Sequence, residues 1–324
     1  MICQHGSMAY QKKVCVVAKH QDPELALLEN VPHFLSDDPS SSDLAKDVTA
    51  VLYWTGSREM LRETFLRCKN LRWIHSKSAG LDNLIFPELV HSDVILTNGK
   101  GVFSAALGEF ALAAILYFAK DIPRMRRNQA ARQWAPFDVE RIEGKVLGIV
   151  GYGDIGRAVA TRAHAMGMRI FATRRHAPAE SDPLIERYYS PAELHDMLAL
   201  CDYIVVAAPL TPETRHMIGD AEFAVLKPTS TVMNIGRGAV IDEDALVRAL
   251  TEGRIKGAGL DVMEHEPLSA GSALYGMDNV LLSPHCADNV VGWNADAMRF
   301  FLAQYARFQN NEPLLNVVNK QLGY

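Results

Sequence analysis

Short apolar runs alternate with longer amphipathic stretches over most of the chain. In the first hundred residues Val14–Ala18 (VCVVA), Val51–Trp54 and Leu71–Ser76 are apolar runs of strand length, the last followed at once by Ala79-Gly80. Such runs, separated by helical segments, predict a parallel sheet covered on both faces. From Ser104 to about Arg127 the pattern becomes one long helix, apolar first and basic at its end, which Pro123 should kink or terminate. Lys145–Val150 (KVLGIV) then reads as a buried strand, a helical stretch runs from the following glycines to about Met166, and a second strand covers Met168–Thr173. Tyr203–Ala207, Thr231–Asn234, Gly257–Leu260 and Val280–Leu282 read as four more strands, with helices over 191–199, 220–226 and 242–252 between most of them. This is the pattern of a doubly wound α/β domain. Asn294–Gln309 reads as a further helix beyond the sixth strand, so the tail is expected to return to the N-terminal region. Two domains follow, one discontinuous (1–101 and 292–324) and one inserted in it (102–291).

The length of 324 residues agrees with that division, at roughly 150 residues per domain. Hydrophobic residues at 48% and charged residues at 22% are values of a globular chain with a sizeable core. A net charge of −5 removes the global basic signature of a nucleic-acid binder. The longest apolar stretch, Ala105–Ala119, is broken by Glu109 and falls short of the ~20 residues of a membrane span. The N-terminus carries no apolar leader segment and no arginine, so a cytoplasmic protein is expected. Cys3, Cys15, Cys68, Cys201 and Cys286 form no CxxC pair, which argues against a disulfide framework and against a metal site. There are no repeats, and the only biased tract is the DDPSSSD turn at Asp37–Asp43.

The chemistry begins at Gly151-Tyr152-Gly153-Asp154-Ile155-Gly156, between a strand and a helix. In such a fingerprint the first glycine permits a tight turn, the second lets a pyrophosphate approach the backbone, and the third lets helix and strand pack closely. A dinucleotide cofactor is expected. At the end of the second strand, where NAD-selective sites place a carboxylate for the ribose 2′-hydroxyl, this chain has Arg174-Arg175. Two guanidiniums suit a 2′-phosphate, so NADP(H) is expected ahead of NAD(H), although a solvated basic loop would explain the same residues. His176 next to them adds little to either reading. Arg237, Asp261, Glu266 and His285 each follow a predicted strand of the same sheet, and ligands of open α/β sheets bind outside the carboxyl ends of strands. Taken singly each has a dull explanation, such as an arginine satisfying turn carbonyls or a histidine capping a loop.

Ser78-Ala79-Gly80-Leu81-Asp82, the GYGDIG fingerprint, Ala208–Thr214 (APLTPET), Asn234–Asp242 (NIGRGAVID), Asp261–Pro267 (DVMEHEP) and Ser283-Pro284-His285 occur in this order. In these pieces, and over nearly its whole length, the chain resembles the D-2-hydroxyacid dehydrogenase family. The resemblance implies a Rossmann-type doubly wound sheet inserted into a flavodoxin-like substrate domain, assembled as a homodimer. It implies that Arg237 binds the substrate carboxylate and polarises the keto oxygen, that His285 is the general acid in reduction, and that Glu266 holds its imidazole. The backbone at Ser78, Ala79 and Gly80 would cradle the carboxylate. Asp261 would meet the nicotinamide carboxamide, and Pro209, Leu210, Thr211, Ile235 and Gly236 would line the cofactor. Arg174 resembles the NADPH-using glyoxylate/hydroxypyruvate reductase branch, so reduction of small 2-keto acids such as glyoxylate, hydroxypyruvate or pyruvate to D-2-hydroxy acids is expected. The rivals are an NAD-dependent 2-hydroxyacid dehydrogenase and a dinucleotide-sensing corepressor-like binding module that shares the fold.

Cys286-Ala287-Asp288 stand where many relatives have small or hydroxylated residues, and Cys286 is expected to be a packed thiol. The small residues Ala105, Ala106, Ala111, Ala113 and Ala114 suit either a dimer contact, as the resemblance implies, or packing within the domain. Arg124, Arg126, Arg127 and Arg132 are expected on a solvated face, the rival reading being contact with an anionic cofactor or a partner subunit, and Trp134 and Trp293 are candidates for substrate specificity.

Overall fold

In the computed structural model, residues 12–18, 22–37, 45–82, 84–175 and 182–323 are described. Cys3, most of the Asp37–Asp43 turn and His176 lie outside them. The chain divides into two units, Met1–Val102 with Val291–Tyr324, and Phe103–Val290.

In the first unit the apolar runs become β1 (Lys13–Val17), β3 (Val48–Tyr53) and β4 (Trp73–Ser76). Two three-residue strands join them, β2 (His33–Leu35) and β5 (Ile95–Thr97). All pair in parallel, in the order β2-β1-β3-β4-β5, the flavodoxin-like arrangement. Between them run α1 (Arg58–Arg67), where the Ser57 hydroxyl accepts the Met60 N–H, and the short α2 (Pro87–Val90).

In the second unit the expected long helix is two. It forms α3 (Ser104–Ala119), stops, and resumes as α4 (Ile122–Ala130). The break is at Asp121, in the left-handed region with φ 47°, whose carboxylate caps α4 by accepting the Arg124 N–H. Pro123 therefore sits in the first turn of a helix, where its missing N–H costs nothing. The α/β run continues as β6 (Val146–Val150), α5 (Asp154–Ala165), β7 (Arg169–Thr173), β8 (Arg187–Tyr189), α6 (Leu194–Leu198) and β9 (Tyr203–Val206). It ends with α7 (Asp220–Val225), β10 (Thr231–Asn234), α8 (Glu243–Thr251), β11 (Gly257–Leu260) and β12 (Val280–Leu282). The sheet has seven parallel strands, one more than expected, in the order β12-β11-β10-β9-β6-β7-β8. The order reverses between β6 and β9, where such sheets bind their ligands.

The core follows from the sequence pattern. The β6, β9, β10 and β11 side chains are all buried, as strands covered on both faces require. Helix α8 turns Ala245, Leu246, Ala249 and Leu250 inward, at the one-four spacing of an amphipathic helix, and Asp242 caps it. Helix α3 packs closely on α5: a Cβ at Gly108 would stand 2.9 Å from the Ala158 carbonyl oxygen. Ala111 and Ala114 are buried within this unit, whereas Ala105 and Ala113 are exposed. The chain returns to the first unit as α9 (Trp293–Gln309), whose Phe301 and Phe308 lie against Trp73 of β4 at 5.5 and 5.0 Å between ring centroids.

Candidate active site

The turn after β6 shows why three glycines stand at this spacing. Gly151 has φ +92°, and a Cβ there would fall 2.6 Å from the Ala208 backbone. Its N–H donates to the Thr173 hydroxyl at 3.1 Å and Tyr152 N–H to the Thr173 carbonyl at 2.9 Å, tying the turn to the end of β7. Gly156 would push a Cβ against the Gly151 carbonyl at 2.9 Å, so the third glycine serves the packing of α5 on the turn. Gly153 differs, because nothing lies within 4 Å of the place its Cβ would take. This open position precedes the first turn of α5, whose N–H groups at Asp154, Ile155 and Gly156 have no partner inside the helix. Backbone donors, open space and the positive helix end together fit the pyrophosphate of a dinucleotide. The Asp154 carboxylate is engaged by the Ser104 hydroxyl.

Strand β7 is followed at once by Arg174 and Arg175, both exposed. The Arg174 backbone N–H is fixed by the Tyr189 carbonyl at 3.1 Å, while Arg175 forms a 3.5 Å ion pair with Glu213. Glu213 also accepts the Thr211 hydroxyl at 2.8 Å. The Thr214 hydroxyl donates to the Pro209 carbonyl and receives the Thr211 N–H, which braces the Pro209-Leu210-Thr211 turn after β9.

At the end of β10, Asn234 is buried, and its side chain bonds the Arg237 carbonyl at 3.0 Å and the Gly236 N–H at 3.1 Å. This holds Ile235–Gly238 in a tight turn that presents Arg237, half-buried, with one guanidinium nitrogen on the Gly236 carbonyl at 2.7 Å. A Cβ on Gly238 would lie 1.9 Å from the Met263 carbonyl carbon, so this turn presses directly on the DVMEHEP loop.

Asp261, at the end of β11, is 1% exposed. Its Oδ1 accepts the Ser283 hydroxyl at 2.6 Å and the Cys286 and Ala287 N–H groups at 2.9 Å each. The buried carboxylate thereby organises the loop carrying His285, whose own N–H donates to the Asp261 carbonyl at 2.8 Å. His285 has φ 52°, and its Nδ1 meets Glu266 Oε2 at 2.7 Å. The other Glu266 oxygen accepts the Met263 N–H at 3.0 Å. With Nδ1 committed to the carboxylate, Nε2 is the nitrogen left to exchange a proton. A cavity of about 590 Å³ opens on this pair, walled by Met263, Pro267, Leu268, Tyr275 and Leu282. Asp288 closes the loop; burial, then the charge of Asp261, pushes its carboxyl above the usual range, against the pull of His285 and Arg237.

In the first unit, the Ser78-Ala79-Gly80 loop follows β4. The Ser78 carbonyl accepts the Gly99 N–H at 3.3 Å and the Ser76 hydroxyl at 3.2 Å, and the Ala79 carbonyl accepts the Asn98 amide at 2.7 Å. Among the described residues no acceptor takes the N–H groups of Ser78, Ala79 and Gly80. Carbonyls turned into the fold with amides left over is the arrangement an anionic ligand requires.

Arg237, Glu266, His285 and Asp261 thus lie on neighbouring loops of one sheet. Sequence reasoning missed Asn98, Asn234 and Thr214, whose side chains brace these loops; for Asn98 and Asn234 the signal was only a polar residue at or just after a strand end, and Thr214, well past β9, had no such signal. Cys286 is exposed, not packed: its N–H is drawn to Asp261, leaving the side chain beside the Ser283 hydroxyl at 3.4 Å. Trp134 is 97% exposed. Arg124 lies over the Phe137 ring at 4.3 Å, and Arg126, Arg127 and Arg132 are exposed.

Residues 112–287 match the family described as D-isomer specific 2-hydroxyacid dehydrogenase, NAD binding domain. A glyoxylate reductase of Thermococcus gammatolerans is 34% identical over 286 residues, 86% of this chain and 84% of that protein. A D-isomer specific 2-hydroxyacid dehydrogenase from Xanthobacter autotrophicus Py2, solved with NADPH and MES, superposes with a TM-score of 0.82 at 28% identity, over 96% of this chain and 99% of that one. An NADPH-dependent glyoxylate/hydroxypyruvate reductase from Sinorhizobium meliloti, solved with NADP and sulfate, gives 0.83 at 25% identity, over 97% and 100%. The chain is an oxidoreductase with an NAD(P)-binding Rossmann unit, and it belongs to the D-isomer specific 2-hydroxyacid dehydrogenase family.

Proposed function

We propose that the protein reduces small 2-keto acids, glyoxylate and hydroxypyruvate foremost, with NADPH in preference to NADH. The observation that carries the chemistry is the 2.7 Å bond from His285 Nδ1 to Glu266, which dedicates Nε2 to proton transfer. When bound, the dinucleotide supplies the hydride. Reduction of a keto carbon builds negative charge on its oxygen, so a cation and a proton donor are both needed there. Arg237 is the cation and also holds the substrate carboxylate, His285 gives its Nε2 proton to the oxygen, and Glu266 stabilises and orients the imidazolium. The amides of Ser78–Gly80, which no acceptor takes among the described residues, offer donors to a substrate carboxylate. On the cofactor side, Gly151–Gly156 hold the pyrophosphate, with Pro209–Thr211 and Ile235–Gly236 along the dinucleotide and Asp261 Oδ2 toward the carboxamide.

The cofactor preference rests on Arg174. Among the described residues no side chain pairs with its guanidinium. A 2′-phosphate gives it a bidentate partner. The names of the relatives, glyoxylate reductase and glyoxylate/hydroxypyruvate reductase, support the substrate class. The neighbours solved with NADPH and NADP support the cofactor.

The test is initial-rate reduction of glyoxylate and hydroxypyruvate with each cofactor, wild type beside Arg174→Asp. A clear NADPH advantage in kcat/KM that the substitution erodes supports both parts of the proposal. Equal rates with NADH would return the arginines to solvent and make the enzyme NAD-dependent. No turnover with either cofactor would overturn the assignment.

A further inference from the structure

Lys77 immediately precedes the Ser78–Gly80 amides, and it is an unusual lysine. Only 8% of it is exposed. Its ammonium lies 4.6 Å from the ring centroid of Trp54, at the end of β3, and 4.6 Å from that of Trp293, at the start of α9. Nζ donates to the Asn294 side chain at 3.2 Å, and the Lys77 N–H to the Tyr53 carbonyl at 3.0 Å. Trp54 is fixed in turn, its indole N–H on Asp22 at 2.8 Å. Burial lowers the Lys77 pKa while the Asp22 and Glu24 carboxylates support its charge.

A fully hydrated surface lysine needs none of this. Burying an ammonium is costly unless partners replace its water, and two indole faces with an amide oxygen are such partners. The cation is therefore held at one place in a low-dielectric setting, on the residue that precedes backbone amides whose carbonyl sides are already anchored by Asn98, Gly99 and Ser76. We propose that Lys77 is a positioning residue which, from its two-tryptophan cage, fixes the Ser78–Gly80 amides and adds positive potential for the carboxylate of the substrate. The inference rests on the reading of that loop as a carboxylate cradle. It gives Trp293 a part in substrate affinity through the cage and without contact to substrate.

The experiment compares wild type with Lys77→Met, Lys77→Arg and Asn294→Leu as full-length chains. It measures glyoxylate KM and kcat at saturating NADPH, NADPH KM, and competitive inhibition by oxamate, which also carries a carboxylate. Lys77→Met should raise glyoxylate KM and oxamate Ki together by about tenfold, with kcat within about threefold and NADPH KM within about twofold. Lys77→Arg should recover most of the loss. Should Lys77→Met fail to fold, Asn294→Leu carries the test with an expected rise of about threefold in both constants. Unchanged KM and Ki, or a loss falling equally on kcat and NADPH KM, would overturn the inference while leaving the proposed function standing. A wild type inactive on every 2-keto acid overturns the proposed function, and the inference falls with it.

Discussion

Gly153→Ala separates what the fingerprint does for folding from what it does for binding. Nothing stands within 4 Å of the added methyl, and the backbone at φ −111°, ψ −150° is extended, which alanine tolerates. Replacing glycine at a compatible site should leave stability unchanged or raise it by about 0.4–1 kcal/mol through the unfolded chain. The methyl would instead occupy the space in front of the α5 N-terminus. If a phosphate oxygen is held there, displacing it from one backbone donor costs about 1.5–3 kcal/mol, or roughly 10- to 150-fold in Kd at ~1.4 kcal/mol per decade. Gly151→Ala is the control: its Cβ falls 2.6 Å from the Ala208 backbone at φ +92°, so that variant should lose stability outright. Thermal melts followed by circular dichroism, with fluorescence titration of NADPH, read both quantities. A Gly153→Ala protein of normal melting temperature that binds NADPH as tightly as wild type would refute the placement of the pyrophosphate. One that melts early would refute the claim that the space is empty.

His285→Ala should lower kcat by about 10²–10⁴, the usual worth of a positioned general acid, with little change in NADPH affinity; near-normal turnover would remove His285 from that role. Gly238→Ala forces its methyl to 1.9 Å from the Met263 backbone, so the Arg237 turn and the loop bearing Glu266 must part. A displacement near 1 Å at reacting groups costs about 10² in rate, and kcat/KM at wild-type level would show that the two loops yield independently. Asp288→Asn tests the loop electrostatics. Burial and Asp261 raise the Asp288 pKa above its unfolded value, so its ionisation opposes folding, and that cost is present once pH exceeds the raised pKa and vanishes below the unfolded one. The variant should therefore melt higher than wild type at neutral pH and converge with it in acid; a difference independent of pH would contradict this.

The elements invisible in the sequence share a position in the fold. His33–Leu35, Ile95–Thr97 and Arg187–Tyr189 are three-residue strands at sheet edges, each with an exposed residue, so none presents the continuous apolar run that betrayed the central strands. The helix break was misplaced for a similar reason: Pro123 is conspicuous in sequence, while the left-handed Asp121 two residues earlier carries no such mark. Arg237, Asp261, Glu266 and His285, to which we assign the chemistry as a proposal, stand out in the sequence because they sit in polar segments that follow apolar strands. What could not be read was who holds them. Asn98 reaches Ala79 across 19 positions, and the Asp261 carboxylate gathers amides 25 and 26 residues away. Nor could the exposure of Cys286 be read, since it follows from that same pull on its backbone.

The insertion of one unit within the other also sets an order on synthesis. The face of β4 that carries Trp73 is completed by Phe301 and Phe308, which leave the ribosome only after all of residues 103–290. At roughly 5–20 residues per second that is a wait of about 10–40 s, by the end of which the inserted unit has every strand it needs while the first unit, its five strands already made, still lacks α9. An aromatic surface made early and covered last is a natural target for a holding chaperone on the nascent chain. A polypeptide released near residue 290 should therefore contain a folded dinucleotide-binding unit tethered to an N-terminal sheet that cannot bury its own tryptophan.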